Sequence, residues 1–304
     1  MSQHIPAPSR SRLGTTCVLL LVTVLSGAAQ SSPFDYDVTT PLDYRESKIA
    51  TRNGTSIYAA TFTSPRGGRA ECHVIAPDHA GKLAGVVWQH GGGQNWTWFL
   101  PDALAIANRG AVSVLMTAPW DRAKENKEPQ LKDQGQQDRA DYIHVAVDAR
   151  RAYDLLASRP NVDKSRIGYV GLSFGAMMGG SLAGVDGRFR TFILIAGVES
   201  FARHWRESPL FVEMRQKTPK AELDELIGSL APIEAVNNIG RSTAPILFQS
   251  ARFDPGVPEI HSIDFYKAAG EPKELKWYDT GHQINDPQAF SDRQDWLRKY
   301  LSKP

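Results

Sequence analysis

Apolar positions along this chain fall into short runs whose character changes near residue 80. Ser56 to Thr63 and Arg69 to Ala76 alternate with period two and are separated by Ser64-Pro65-Arg66-Gly67-Gly68, a cluster of turn formers. That pattern predicts an antiparallel hairpin. Beyond it the strand-like runs are mostly apolar: Gly85 to Gln89, Ala111 to Thr117, Arg166 to Val170, Thr191 to Ala196, Pro245 to Ser250 and Glu274 to Tyr278. Helical patterns separate them: Trp98 to Asn108, Asp138 to Ala157, Phe174 to about Leu182, about Pro258 to Ala268, and Pro287 to Leu301. Mostly apolar strands with helices between them are buried on both faces, as in a parallel sheet covered on both sides. The expected class is α/β, a doubly wound, mostly parallel sheet of eight strands with an antiparallel start. No period of 20 to 50 residues recurs, which argues against solenoids and propellers.

The longest helix carries the pattern at single positions. Tyr142, Val145, Ala146, Ala149, Ala152, Tyr153 and Leu156 recur at spacings of three and four, with Asp141, Asp148, Arg150 and Arg151 between them. One face is expected to pack on the sheet and the rest to be solvated. Two segments fit neither period. Asp121 to Gln137 is charged and Gln-rich, and Ser200 to Arg241 holds helix signals of its own in Lys220 to Ser229. Connections of that length in a compact domain are usually functional or mobile. The second, about residues 200–241, is expected to be a helical lid insertion.

Composition changes the picture at the amino terminus. Arg10 and Arg12 precede the apolar run Cys17 to Leu25, and Ser26-Gly27-Ala28-Ala29-Gln30 follows it. A basic start, a short apolar stretch and small residues describe a secretory signal peptide. The run is too short for the roughly 20 residues that span a bilayer, so no stable membrane anchor is expected. Residues 1–29 are read as the leader and 30–304 as a single catalytic domain, secreted or periplasmic. The full chain carries 35 Lys and Arg against 33 Asp and Glu, a formal charge of +2. Without Arg10 and Arg12 the two counts are equal. A neutral domain with no basic stripe and interleaved aromatics offers no footprint for nucleic acid. The substrate is expected to be an uncharged or weakly polar ester. Cys72 is then the one remaining cysteine. It lies in a strand-like alternation, which marks it as a small buried thiol rather than a nucleophile.

Candidate chemistry is concentrated at strand ends. Gly171-Leu172-Ser173-Phe174-Gly175 joins a strand to a helix, the context in which G-x-S-x-G forms a sharp elbow with an exposed hydroxyl. A serine hydroxyl needs a base, and the base an orienting carboxylate. In this architecture the order is Ser, then Asp or Glu, then His. Asp254 follows strand Pro245 to Ser250, and His282 follows strand Glu274 to Tyr278. Of the eight histidines, His4 lies in the leader, His73 in a strand, His144 and His261 in helices and His204 in the insertion. His282 is therefore the expected base. Asp279 is too close to His282 in sequence to come from a separate strand, and Glu259 is a less well-placed alternative to Asp254. His90-Gly91-Gly92-Gly93 follows strand Gly85 to Gln89 and has the small residues of an oxyanion loop; N–H donors are assigned to Gly92 or Gly93 together with Phe174. Neither GxxxxGK[ST] nor GxGxxG occurs, against a phosphate loop, and neither HExxH, a zinc Cys/His spacing nor an EF-hand loop occurs, so no metal or other cofactor is expected. Trp96, Trp98 and Trp205 are candidates for a substrate wall, with packing of the first helix or of the insertion as the competing reading.

The loop His90 to Gly93, the elbow, the Asp254 loop and Gly281-His282, taken in this order, resemble the α/β-hydrolase superfamily across nearly the whole domain. Within it, Val162-Asp163-Lys164-Ser165-Arg166-Ile167-Gly168-Tyr169-Val170 before the elbow is similar to the dienelactone-hydrolase-like and acetyl-xylan-esterase-like groups, and to the prolyl-oligopeptidase catalytic domain. The resemblance implies hydrolysis of esters, thioesters or amides through an acyl-enzyme. Ser173 stands where dienelactone hydrolases proper have cysteine, and no propeller precedes the domain. The expected activity is that of a serine esterase acting on a small-molecule or polymer-borne ester. A peptidase or amidase with the same triad, and a non-catalytic binding module of the same fold, are the alternatives.

Overall fold

The computed structural model describes residues 1, 32–78, 81–128, 131 and 134–303. The leader and Cys17 therefore lie outside the described residues, Met1 apart. Among the described residues no helix is long and apolar enough to cross a membrane.

Nine strands form one sheet: β1 (Arg45–Arg52), β2 (Thr55–Thr63), β3 (Arg69–Pro77), β4 (Leu83–Gln89), β5 (Ala111–Met116), β6 (Val162–Leu172), β7 (Thr191–Ile195), β8 (Ile246–Ala251) and β9 (Lys273–Tyr278). Their order is β1-β2-β3-β5-β4-β6-β7-β8-β9. β1, β2, β3 and β5 pair antiparallel in succession. From β5 across to β9 every pairing is parallel. The expected class holds, and the strand count is corrected from eight to nine. β1 escaped the sequence reading because every one of its residues is exposed. An edge strand that buries neither face has no apolar alternation to betray it, and its charges protect the open edge.

Successive side chains of the central strands go to opposite faces. Val87, Val114, Tyr169, Phe192 and Phe248 face one core layer, and Val86, Leu115, Val170, Ile193 and Leu247 face the other. The first layer is closed by α2 (Gln134–Ser158), α3 (Phe174–Val185) and α7 (Glu259–Ala268), the second by α1 (Leu100–Ala107) and α8 (Pro287–Leu301). This is the double winding expected of apolar strands. The first predicted helix divides at its start into a 3₁₀ turn, Trp96–Phe99, and α1, whose Pro101 lies in its first turn, where a missing N–H costs nothing. Between β7 and β8 the expected helical insertion contains α4 (Phe201–Glu207), α5 (Val212–Lys217) and α6 (Lys220–Leu230), followed by three 3₁₀ turns.

A buried polar chain ties the sheet's far strands to the helices. Arg293 on α8 donates to Asp102 of α1 (3.0 Å) and to Gln249 of β8 (3.1 Å). Gln249 Nε2 in turn donates to the Tyr278 hydroxyl of β9 (2.8 Å) and to the Ala289 carbonyl (2.8 Å). Burial pushes the Asp102 carboxyl above its ordinary range even beside Arg293. Removing the guanidinium strands that charge, a loss of about 3 kcal/mol or more for a buried pair. Arg293→Met is expected to lower the unfolding free energy by that amount, read as a shift in urea midpoint. β8 and β9 end in the loops that carry Asp254 and His282, so the chain supports the site as well as the fold.

Candidate active site

Ser173 stands between β6 and α3 with φ 53° and ψ −113°, a conformation that costs an ordinary residue roughly 1–3 kcal/mol. The turn is tight enough to exclude a β-carbon on either side. One built on Gly171 would lie 2.2 Å from the Gly175 carbonyl oxygen, and one on Gly175 would lie 2.3 Å from the Gln89 oxygen. The two glycines of G-x-S-x-G are thus required by close backbone approach, and the Ser173 N–H is anchored on the Ile195 carbonyl of β7 (2.7 Å).

The structure brings Ser173, His282 and Asp254 into one hydrogen-bonded line. His282 Nε2 lies 2.9 Å from Ser173 Oγ, and His282 Nδ1 lies 2.7 Å from Asp254 Oδ2. The other carboxylate oxygen of Asp254 accepts from the backbone N–H of Gly256 (2.8 Å) and of Val257 (2.9 Å). Held by three donors, the carboxylate keeps the proton of the imidazole on Nδ1 and leaves Nε2 free to accept from the serine. The competing residues are occupied elsewhere. Glu259 and Asp279 both flank exposed Arg252, at 3.7 and 3.2 Å. His73 stacks on Trp96, and His261 bonds Glu207 (2.9 Å). Burial pushes the Cys72 thiol up to about 12, which leaves it inert at neutral pH.

Gly92 and Gly93 follow β4 beside the elbow. Their N–H groups take no acceptor among the described residues. The Phe174 N–H, in the first turn of α3, is one of those a helix start leaves unpaired. Sequence reasoning missed how this loop is held. His90 is buried with Nδ1 donating to the Gly91 carbonyl (2.8 Å) and Nε2 accepting from the Ala118 N–H (3.3 Å). Burial keeps it neutral by lowering its pKa, which that donor and acceptor pairing requires. Gln94 accepts from the Gly91 N–H (3.1 Å) and donates to Gln283 (2.5 Å), the neighbour of His282. One amide therefore joins the glycine loop to the histidine loop. The G-G-G run drew attention to the backbone, and nothing in the spacing marked Gln94.

The three tryptophans of the sequence reading fall differently. Trp96 lies flat on His73, with ring centroids 3.6 Å apart, and with Trp98 it packs against the α1 and α8 core layer. Trp205 stacks on Phe211 (4.8 Å) within the insertion. None of the three lines the cavity of about 320 Å³ that opens between Gly92 and Phe174. His204 of α4 lies within charge range of His282 and Asp254. Burial, then the neighbouring charges of His261 and His282, lower its pKa to about 4, so it is neutral wherever a histidine base would work. It adds positive charge beside His282 only near and below that pH.

Residues 107–304 match the prolyl oligopeptidase family. The chain belongs to the prolyl oligopeptidase family. That span holds the elbow, the Asp254 loop and His282, but not the glycine loop after β4. No curated protein matches the chain in sequence. Among solved structures, the acetyl xylan esterase from Paenibacillus sp. R4 superposes with a TM-score of 0.74 at 21% identity, over 86% of this chain and 90% of that one. Acetyl xylan esterase 1 from Thermoanaerobacterium sp. JW/SL YS485 gives 0.73 at 19%, over 89% and 92%. Dipeptidyl peptidase 4 of Porphyromonas gingivalis gives 0.63 at 18%, over 82% of this chain and 36% of its own. At these identities the likeness concerns the fold, which is the α/β-hydrolase fold of serine-hydrolase type. Family and fold together make the chain a hydrolase, and its reaction is a separate question.

Proposed function

We propose that this chain is an exported serine esterase that cleaves carboxylic esters through an acyl-enzyme on Ser173. The observation that carries the reading is the hydrogen-bonded line Asp254–His282–Ser173; the N–H groups of Gly92, Gly93 and Phe174, which have no backbone acceptor among the described residues, are its proposed oxyanion donors. In the proposed cycle Ser173 Oγ bonds to the ester carbonyl carbon as His282 Nε2 takes its proton. The carbonyl oxygen becomes an oxyanion held by the N–H groups, each typically worth about 3 kcal/mol. Collapse breaks the bond to the alcohol, which leaves with the proton from His282. Water, deprotonated by the same imidazole, then releases the acid and restores Ser173. The two acetyl xylan esterases among the structural neighbours, alike in length and fold, favour an ester of a small molecule or polymer over a peptide. Export rests on the leader-like residues 1–29.

Family membership favours a second reading, peptide or amide hydrolysis by the same groups. Parallel assays separate the two. With p-nitrophenyl esters of graded chain length and aminoacyl-naphthylamides, kcat/KM is expected to be high on at least one ester and negligible on the amides. Turnover of the amides at rates comparable to the esters would favour the peptidase. Inertness toward both, with no labelling by a fluorophosphonate, would reduce the chain to a binding module of the fold.

A further inference from the structure

The cavity beside the oxyanion loop has a character that the neutral overall charge conceals. Gly92 and Phe174 both line it, so it adjoins the point where a substrate carbonyl would rest. Its volume, about 320 Å³, is at the small end for ligand pockets, which run from roughly 300 to 1,000 Å³. No residue of the Asp254 or His282 loops lines it. The leaving oxygen must lie against His282 to receive a proton, so the cavity is on the opposite, acyl side of the scissile bond.

Its walls combine aromatic rings with carboxylates. Trp120 meets Phe174 edge-on at 5.2 Å, and Tyr142 lies 4.7 Å from the same ring. Phe201 of α4 backs Tyr142 at 4.9 Å and fixes its plane. The first turns of α2 add Asp138 and Asp141 to the lining. Gln137, Asp138, Asp141 and Tyr142 fall on one helical face because they are spaced one and four apart. Gln137 donates to Asp141 Oδ1 (2.9 Å), and Oδ2 has no hydrogen-bond partner among the described residues.

Among the described residues no lysine or arginine lines the cavity. Asp141 also borders an adjoining cavity with Arg66, Arg122 and Lys127: Arg66 donates to the Pro33 carbonyl, Lys127 to that of Trp120 (2.6 Å), and Arg122 is paired with buried Asp148, whose other oxygen accepts from Ser64 (2.7 Å). Burial lowers the pKa of His144, three residues along α2 from Asp141. Burial also pushes the Asp141 carboxyl above its ordinary value, against the opposing pull of the Gln137 hydrogen bond, His144 and Arg122. Ring faces with a carboxylate at one end are the surroundings in which an alkylammonium is held most strongly. Charge matched this way in a half-buried site discriminates more than the surface charge of the whole domain does.

We infer that this cavity selects a short acyl group carrying a permanent or protonated ammonium, seated against Trp120 and Tyr142 and paired with Asp141. The inference rests on the esterase reading, whose acyl-enzyme it furnishes with a substrate class. Asp141, which the sequence pattern placed on a solvated flank, becomes the specificity-determining residue.

Two isosteric substrates test it: p-nitrophenyl 4-(trimethylammonio)butyrate and p-nitrophenyl 5,5-dimethylhexanoate, whose acyl groups differ in charge and hardly in shape. The wild-type enzyme is expected to favour the cationic ester by about tenfold or more in kcat/KM, the ratio narrowing as salt is raised. Asp141→Asn is expected to reduce that ratio about tenfold. Should the variant fold poorly, protection of wild-type Ser173 from a fluorophosphonate by tetramethylammonium, but not by neopentyl alcohol, reads the same pocket. Equal or lower kcat/KM for the cationic ester would overturn the inference and leave the esterase reading standing. Inertness toward both esters and toward the fluorophosphonate would overturn the esterase reading itself.

Discussion

Replacement of Ser173 by alanine is expected to lower kcat on a p-nitrophenyl ester by on the order of 10⁶-fold, the size of effect seen when a serine nucleophile of this kind is removed. The geometry explains why no neighbour would take over. Cys72 is buried with its thiol held protonated, so it cannot stand in for the serine. Water alone would have to be activated by His282. The N–H groups of Gly92, Gly93 and Phe174 survive the substitution and would retain a residual acceleration of roughly 10³–10⁴ over water. Circular dichroism and the urea midpoint should be close to wild type, since the hydroxyl's one bond is to partly exposed His282. A variant with native spectra and undiminished turnover would remove Ser173 from the reaction.

The second large effect concerns Asp254→Asn. Oδ1 already accepts from the Gly256 and Val257 N–H groups, so the asparagine carbonyl must take that position and turn its amide NH₂ toward His282. An NH₂ facing Nδ1 forces the imidazole proton onto Nε2, where it can no longer accept from Ser173. A loss of about 10⁴-fold in kcat is expected from the wrong tautomer alone. The double variant Ser173→Ala/Asp254→Asn should be no slower than Ser173→Ala, because groups acting as a unit are not additive. Full multiplicative loss would mean that Asp254 acts through something other than His282.

The parts of this molecule that were legible in sequence are those where burial or strain restricts residue choice. Strands β4 to β8 read as continuous apolar runs because both faces are covered. The elbow read clearly because Gly171 and Gly175 face backbone atoms closer than a β-carbon allows. β1 went unseen because it buries nothing. Trp96 and Trp98 attracted attention by following the glycine loop, yet they pack on His73 and the α1 layer, since a helix entering a sheet needs large side chains at its start. The position of Asp141 was the least legible. Its helical spacing places it beside the core stripe, and only the turn of α2 relative to Phe174 decides whether that flank meets solvent or a cavity. Gln94 belongs to the same class, a polar residue whose value depends on Gln283, far away in sequence.

In the proposed cycle an acyl group passes through Ser173. Rapid acid quenching of the chain with p-nitrophenyl acetate in the first turnovers, followed by peptide mass mapping, reads this intermediate directly. The expected result is acetyl on the peptide that contains Ser173, in step with the initial release of p-nitrophenol and absent from Ser173→Ala. Steady ester turnover with no acetyl on that peptide, or acetylation and turnover that persist in Ser173→Ala, would contradict the mechanism at its root.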